Sequence, residues 1–118
     1  MKYMLLIIGF HADGPTPTGE EDDGPTIEAF TTFGKDMVDA GVWVDGSALE
    51  PVEIATTVQV DHDGNRVITN GPFAETREYV GGYEIIDVPD LDTALDWAAR
   101  CPGAKGAGRI EVRPLMFF

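Results

Sequence analysis

Asp45 is the residue of this sequence whose type and surroundings best suit acid–base chemistry. It lies in the segment VWVDGSAL among apolar neighbours, where burial would raise the pKa of its carboxyl group towards the range useful for proton transfer. An aspartate here is also common as a strand-end or turn residue. Ser47 could donate a hydrogen bond beside Asp45, but no general base is placed to make it a nucleophile.

Two histidines occur, at positions 11 and 62. His11 ends the first apolar segment and begins a long loop, so it could pair with Asp45 or Asp13 and shuttle a proton near neutral pH. The alternative is a solvated loop histidine. His62 lies in DHDGN, which predicts a solvated hairpin tip. Asp45 and His11 are therefore the predicted catalytic candidates.

The segment NGPFAETRE, residues 70–78, has a structural and a functional interpretation. Asn-Gly-Pro predicts a tight turn, and Phe73 would then anchor the loop in the core or at a dimer interface. A turn does not need the acid and the hydroxyl that follow it, so Glu75 and Thr76 could instead line a pocket for a small polar ligand. The candidate ligand-binding residues are Ser47, Asn70, Phe73, Glu75 and Thr76.

Metal and nucleotide sites are not indicated. The acidic run at 20–23 lacks the spacing of a calcium loop, and the glycines of GAKGAG, 103–108, neither follow a strand nor open a helix as a phosphate loop must. We predict no metal and no cofactor. The lone Cys101 is expected to be a small buried residue rather than a reactive thiol, and a single cysteine favours a reducing compartment.

Length and charge limit the partners. With 118 residues, the chain is expected to form one domain, 1–118. Its 8 basic and 21 acidic residues give a formal net charge of −13, which disfavours direct binding of nucleic acid or of anionic membranes. The apolar run from Tyr3 to Ile8 is too short for a signal peptide or a membrane span, so we expect a cytoplasmic protein.

The order of predicted elements favours an α+β fold. We predict a strand at 2–9, a helix at 26–40, a short strand within 42–51, a hairpin at 55–69, a strand at 79–88, a helix after Asp90 and a last strand from 109. On the second helix, Leu91, Ala94, Leu95 and Ala98 are predicted to share a face, and Gly81-Gly82 suits a β-bulge. Two split strand–helix–strand units with an inserted hairpin predict a ferredoxin-like βαβ(ββ)βαβ antiparallel sheet.

The first strand predicts a homodimer. Its two alternating faces are both apolar, Tyr3, Leu5 and Ile7 on one and Met4, Leu6 and Ile8 on the other, whereas two helices cover only one face of a sheet. A second copy of the chain could cover the other face.

Two segments resemble a known family. NGPFAETRE followed by GGYEIIDVPDLDTALDWAARCP is similar to the signature of the DGPF branch of the YCII-related family, and the first strand and the closing EVRPLM extend the resemblance over nearly the whole chain. The resemblance implies a dimeric α-β barrel, with a cleft near the interface. Some relatives are lyase- or dehydrochlorinase-like enzymes with a proposed His-Asp pair, and others accompany sigma factors.

This chain departs from that pattern in two places. Asn70 replaces the usual aspartate, and the first predicted helix has no histidine, the family position falling near Ala29. The strand acid is matched by Asp45. We therefore keep two hypotheses: a cofactor-free small-molecule enzyme using Asp45, and a non-catalytic ligand-binding or accessory module, with a possible association with a sigma-factor pathway.

Overall fold

A computed structural model describes residues 1–10, 26–71 and 78–117 of the chain. The elements run β1 (Lys2–Phe10), α1 (Ile27–Asp39), β2 (Trp43–Ala48), β3 (Thr56–Val60), β4 (Arg66–Asn70), β5 (Glu78–Asp87), α2 (Leu91–Arg100) and β6 (Arg109–Pro114), with short 3₁₀ turns at Val52–Ile54 and Pro102–Ala104. The two helices and the antiparallel sheets confirm the predicted α+β class.

The main sheet has four strands in the order β2-β5-β1-β6, and every neighbouring pair is antiparallel. β3 and β4 form a separate two-stranded sheet. The hairpin was predicted from Asp63-Gly64, and Gly64 indeed takes the left-handed conformation, with φ of +83°. Asp61 closes this turn because its carboxylate accepts hydrogen bonds from the backbone N–H groups of Asp63 and Asn65.

Both helices begin at a side-chain cap. The Thr26 hydroxyl accepts a hydrogen bond from the Ala29 N–H at 3.0 Å, and the Asp90 carboxylate accepts one from the Thr93 N–H at 2.8 Å. These caps satisfy backbone donors that have no partner inside the helix. The helices pack on one face of the main sheet, where the fully buried side chains include Leu5, Met37 and Ile86.

The prediction of which residues of α2 are buried is wrong in part. Ala94 and Ala98 are buried as expected, but Leu91 and Leu95 are exposed and Trp97 is buried instead. Residues 94, 97, 98 and 101 form one helical stripe, and the Trp97 ring packs against Phe33 of α1 with centroids 6.3 Å apart. The large indole therefore sets which face of the helix turns towards the core.

The opposite face of the main sheet, which we call the open face, carries no helix of the described residues. Register and strand alternation place on it Met4, Leu6 and Ile8 of β1 and Tyr83 and Ile85 of β5, all half-buried. Charged residues flank this apolar centre, with Arg109, Glu111 and Arg113 on β6 and Asp45 on β2. The two-sided apolar character predicted for β1 is confirmed.

Within the described part of the chain, neither helix has the length and apolar character needed to cross a bilayer.

Candidate functional site

Two β-bulges interrupt the main sheet, one between its central strands β1 and β5 and one at the edge formed by β2. The pairing of β1 with β5 shifts between Ile7 and Ile8, which leaves Gly81 as an extra residue, as the Gly81-Gly82 pair predicted. A second shift on β2 pairs Trp43 with Ile86 and Asp45 with Ile85. Ile85 and Ile86 are consecutive and therefore point to opposite faces of the sheet. Their partners Asp45 and Trp43 consequently lie on opposite faces as well.

Glu84 lies on the helix-packed face at this edge. Its neighbours in register are Leu5 on β1, which is fully buried, and Gly46 on β2. The indole Nε1–H of Trp43 donates a hydrogen bond to Glu84 Oε2 at 2.8 Å. Gly46 makes room for the carboxylate, because a Cβ atom there would overlap Glu84 Oε2 and lie 2.7 Å from Glu84 Cδ.

The environment of Glu84 alters its protonation. Burial raises the pKa of the Glu84 carboxyl above its ordinary value, the hydrogen bond from Trp43 opposes this, and the negative charge of Asp45 raises it further. The proton is thus retained to higher pH than on an exposed glutamate. Glu84 is therefore a half-buried carboxyl with a raised pKa, a property suited to proton transfer, and Asp45, on the opposite face of the sheet, acts on it through its charge.

Cys101 lies close to the same cluster but is not a nucleophile. The residue is completely buried, as predicted. Burial raises the pKa of its thiol, and the charge of Glu84 adds to the effect. A thiol that stays protonated is a poor nucleophile, so Cys101 serves as a small core residue beneath the site.

The described residues predicted as site members are only partly brought together. Asp45 and Ser47 lie two residues apart on β2, opposite Ile85 and Tyr83 on the open face. Asp45 is exposed, so the burial expected from its apolar neighbours is not found; β2 is an edge strand, and its flanking valine, Val44, is itself 41% exposed. The Ser47 hydroxyl donates to the carbonyl of Ala48 at 2.8 Å.

Other predicted site members lie elsewhere. Asn70 ends β4, is exposed and pairs with Thr56 in the hairpin sheet. His11, Phe73, Glu75 and Thr76 lie outside the described residues. His62 is exposed at the hairpin tip, as expected.

Sequence reasoning missed Glu84 and Trp43. One signal in the sequence could have found Glu84. Gly82, Glu84 and Ile86 alternate along a strand predicted to be buried, and this alternation places an acidic side chain on the face that packs against the core. The bulge at Val44 gave no comparable signal. Among the described residues, no group of His, Cys, Asp and Glu side chains is arranged to hold a metal ion.

A shallow depression of about 370 Å³ lies on the open face, away from Glu84. It includes Ile8, Val80 and Glu111 and is bordered by the ion pair between Arg109 and Glu78. Neither of the two described helices covers this depression.

Two helices on a four-stranded antiparallel sheet, with an inserted hairpin and an acidic edge, define a small α+β domain with a carboxylate site. The sequence model of the YCII-related domain matches residues 1–118, and the chain belongs to that family. It is also 33% identical over 100 residues to a protein of Rhizobium meliloti (strain 1021) named "Uncharacterized protein R00369", covering 84% of this chain and 80% of that protein.

Proposed function

We propose that this chain is a cofactor-free small-molecule enzyme of proton-transfer or elimination chemistry, with Glu84 as its acid–base residue. The observation that carries the proposal is the half-buried Glu84 carboxyl, which accepts a hydrogen bond from Trp43 and whose pKa is raised by burial and by the charge of Asp45. The sequence prediction centred on Asp45, which lies on the opposite face of the sheet and keeps a role as the charge that raises the pKa of Glu84. His11, Glu75 and Thr76 stay predictions as further members of the site.

The electrostatics restrict the substrate. A chain with a net charge of −13 and two neighbouring carboxylates repels anions. The substrate class is therefore a small neutral or cationic molecule with an acidic C–H, N–H or O–H group. Glu84 would exchange one proton with this group, while the Trp43 N–H, which can only donate, stabilises the carboxylate form.

The proposal has a direct spectroscopic test. The Nε1–H resonance of Trp43 in a proton NMR titration should move with the ionisation of Glu84, because the hydrogen bond strengthens when its acceptor becomes charged. Glu84→Gln should abolish this movement. The indole of Trp97 provides the internal control, since it packs against Phe33 in the core. A pH-independent Trp43 resonance would contradict the assigned contact.

Activity provides the second test. Across a panel of small neutral and cationic compounds, Glu84→Gln should lower any turnover by about 10²-fold or more. Asp45→Asn should instead shift the pH profile to lower pH, because it removes a charge that raises the Glu84 pKa. Glu111→Gln, an exposed carboxylate on β6, is the matched control. Unchanged turnover in Glu84→Gln would refute the catalytic role.

We also propose the finer architecture, a ferredoxin-like unit that dimerises into an α-β barrel. The strand order β2-β5-β1-β6 with both helices on one face supports the ferredoxin-like topology. The apolar centre of the open face supports face-to-face pairing of two sheets. The two edges of this face carry complementary charges, since Arg109 and Arg113 lie on β6 and Asp45 lies on β2. Light scattering at micromolar concentration should give twice the mass of 12.8 kDa.

The second candidate is a non-catalytic ligand-binding or accessory module, with the possible association with a sigma-factor pathway expected from the family resemblance. The specific observation that favours it is the absence of histidine from the α1 sequence, IEAFTTFGKDMVD. A protein that binds compounds from the panel but turns none over would support this candidate.

A further inference from the structure

The β3–β4 hairpin, which we call the arm, has an unusual surface. Its register pairs Val58 with Ile68 and Val60 with Arg66, so these four side chains share one face, while Gln59 and Val67 lie on the other. Val58, Val60 and Ile68 are 57%, 66% and 56% exposed. The arm therefore presents a one-sided apolar surface to solvent.

The arm has little support from the rest of the described chain. Among the described elements, β3 and β4 make extensive contacts only with each other. Its base is closed by the hydrogen bond from the Gly71 N–H to the carbonyl of Ala55 at 2.6 Å and by that from the Thr57 hydroxyl to the carbonyl of Gly71 at 2.9 Å. A lone two-stranded hairpin is at best marginally stable in water, so this arm needs a surface to pack against.

We propose that the apolar face of the arm packs on a second copy of this chain and clamps the dimer. The inference rests on the dimer proposed above and adds a second contact to it. The area fits: the three apolar side chains expose on the order of 300 Å², and two symmetric arms would bury about 1,200 Å² counting both sides of each contact, the lower end of a stable interface.

Charge also favours a second copy. Arg66 is the one charged residue on the apolar face of the arm, and the acids of the arm, Asp61 and Asp63, lie in its turn. A second copy offers acidic partners for Arg66, since its 21 acidic residues outnumber its 8 basic ones.

The test compares two variants of the arm. Val58→Thr/Ile68→Thr removes apolar surface while keeping β-branched residues suited to strands, and Val67→Thr makes the same kind of change on the opposite face. By sedimentation equilibrium, the double variant should raise the dimer dissociation constant at least 100-fold. Val67→Thr should change it less than threefold. Equal effects of the two variants, or none, would overturn the proposal.

Hydrogen exchange gives an independent measurement on the unmodified chain. The amides of β3 and β4 should be protected above the dissociation constant and should exchange faster on dilution below it. Protection that is independent of concentration would mean that the arm is covered by its own chain, which overturns the clamp.

Ile85→Thr, on the open face, separates this inference from the proposed dimer. If Ile85→Thr gives monomers and the arm variant does not, the open-face dimer stands and the clamp is wrong. If only the arm variant weakens the dimer, the clamp stands and open-face pairing is wrong. A wild-type monomer at 100 times the protein concentration of the scattering assay contradicts both.

Discussion

Gly46→Ala tests the geometry of the carboxylate site through a clash of known position. The new Cβ would overlap the Glu84 carboxylate and would lie 2.8 Å from the carbonyl oxygen of Tyr83. Ordinary contacts need more than about 3.4 Å, so the Glu84 side chain has to leave Trp43, and relief of the contact with the Tyr83 carbonyl needs a strand separation of roughly half an ångström. The flexible carboxylate can move, whereas the Tyr83 carbonyl is backbone and cannot move independently.

The expected magnitude follows from opposing terms. Overpacking lowers the free energy of unfolding by about 1–3 kcal/mol, whereas alanine reduces the conformational freedom of the unfolded chain and thereby raises it by about 0.5–1 kcal/mol. We expect Gly46→Ala to lower the free energy of unfolding by about 1–2 kcal/mol, which is about 4–8 °C in Tm for a domain of this size. Calorimetry measures this change, and the Trp43 indole resonance reports whether Glu84 has left its position.

Gly34→Ala is the matched control. Gly34 lies inside α1, and a Cβ there would have nothing within 4 Å. Alanine should therefore stabilise the helix by about 0.5–1 kcal/mol. The same substitution thus has opposite expected signs at the two positions.

A double-mutant cycle completes the test. Glu84→Ala removes the main obstacle, so Gly46→Ala should cost about 1 kcal/mol less in that background, with the contact to the Tyr83 carbonyl remaining. If Gly46→Ala leaves both Tm and the Trp43 resonance unchanged, the placement of Glu84 over Gly46 is wrong. If the two changes are additive within about 0.3 kcal/mol, the clash does not involve Glu84.

Three further predictions concern the core, a helix cap and pH. Leu5→Ala should lower the free energy of unfolding by about 3 kcal/mol in urea denaturation, because Leu5 is completely buried and the truncation leaves a cavity; a loss under about 1 kcal/mol would contradict its core position. Thr26→Ala should cost about 1 kcal/mol and Thr26→Ser very little, because the hydroxyl caps α1. Burial gives Glu84 a higher pKa in the folded than in the unfolded chain, so its contribution to stability is complete below the unfolded-state pKa and is lost as pH rises through the folded-state pKa. Glu84→Gln, which stays uncharged, should therefore gain stability relative to wild type as pH rises from below the ordinary glutamate pKa of 4.5 through the raised folded-state pKa, and a constant difference would contradict the raised pKa.

Much of the fold could be predicted because it depends on local patterns. The period-2 run of β1, the Asp63-Gly64 turn and the Gly81-Gly82 pair each point to one conformation, and the structure has the corresponding strand, hairpin and bulge. The face of α2 was harder. Either Leu91 or Trp97 could have faced the core. The contact between Trp97 and Phe33 determines that Trp97 does, and this contact joins residues distant in sequence.

The site was less predictable than the fold for a similar reason. Asp45 was predicted to be buried because it interrupts an apolar run. On an edge strand such as β2, however, an apolar run does not imply burial. The bulge at Val44 turns Trp43 towards the core face and leaves Asp45 on the other. Only the paired register of β2 and β5 shows that Trp43 reaches Glu84, and a single sequence does not contain that register.

The edge position of this site has a chemical consequence. A fully buried glutamate would remain uncharged and inert, and a fully exposed one would remain ionised at neutral pH. Glu84 lies between these limits because one side of it contacts the core at Leu5 while the other meets the glycine of an edge strand. Gly46 matters to this balance, since any larger residue would displace the carboxylate into solvent and lower its pKa. The carboxyl can therefore keep a raised pKa and still be reached from outside, which is what a proton-transfer group requires.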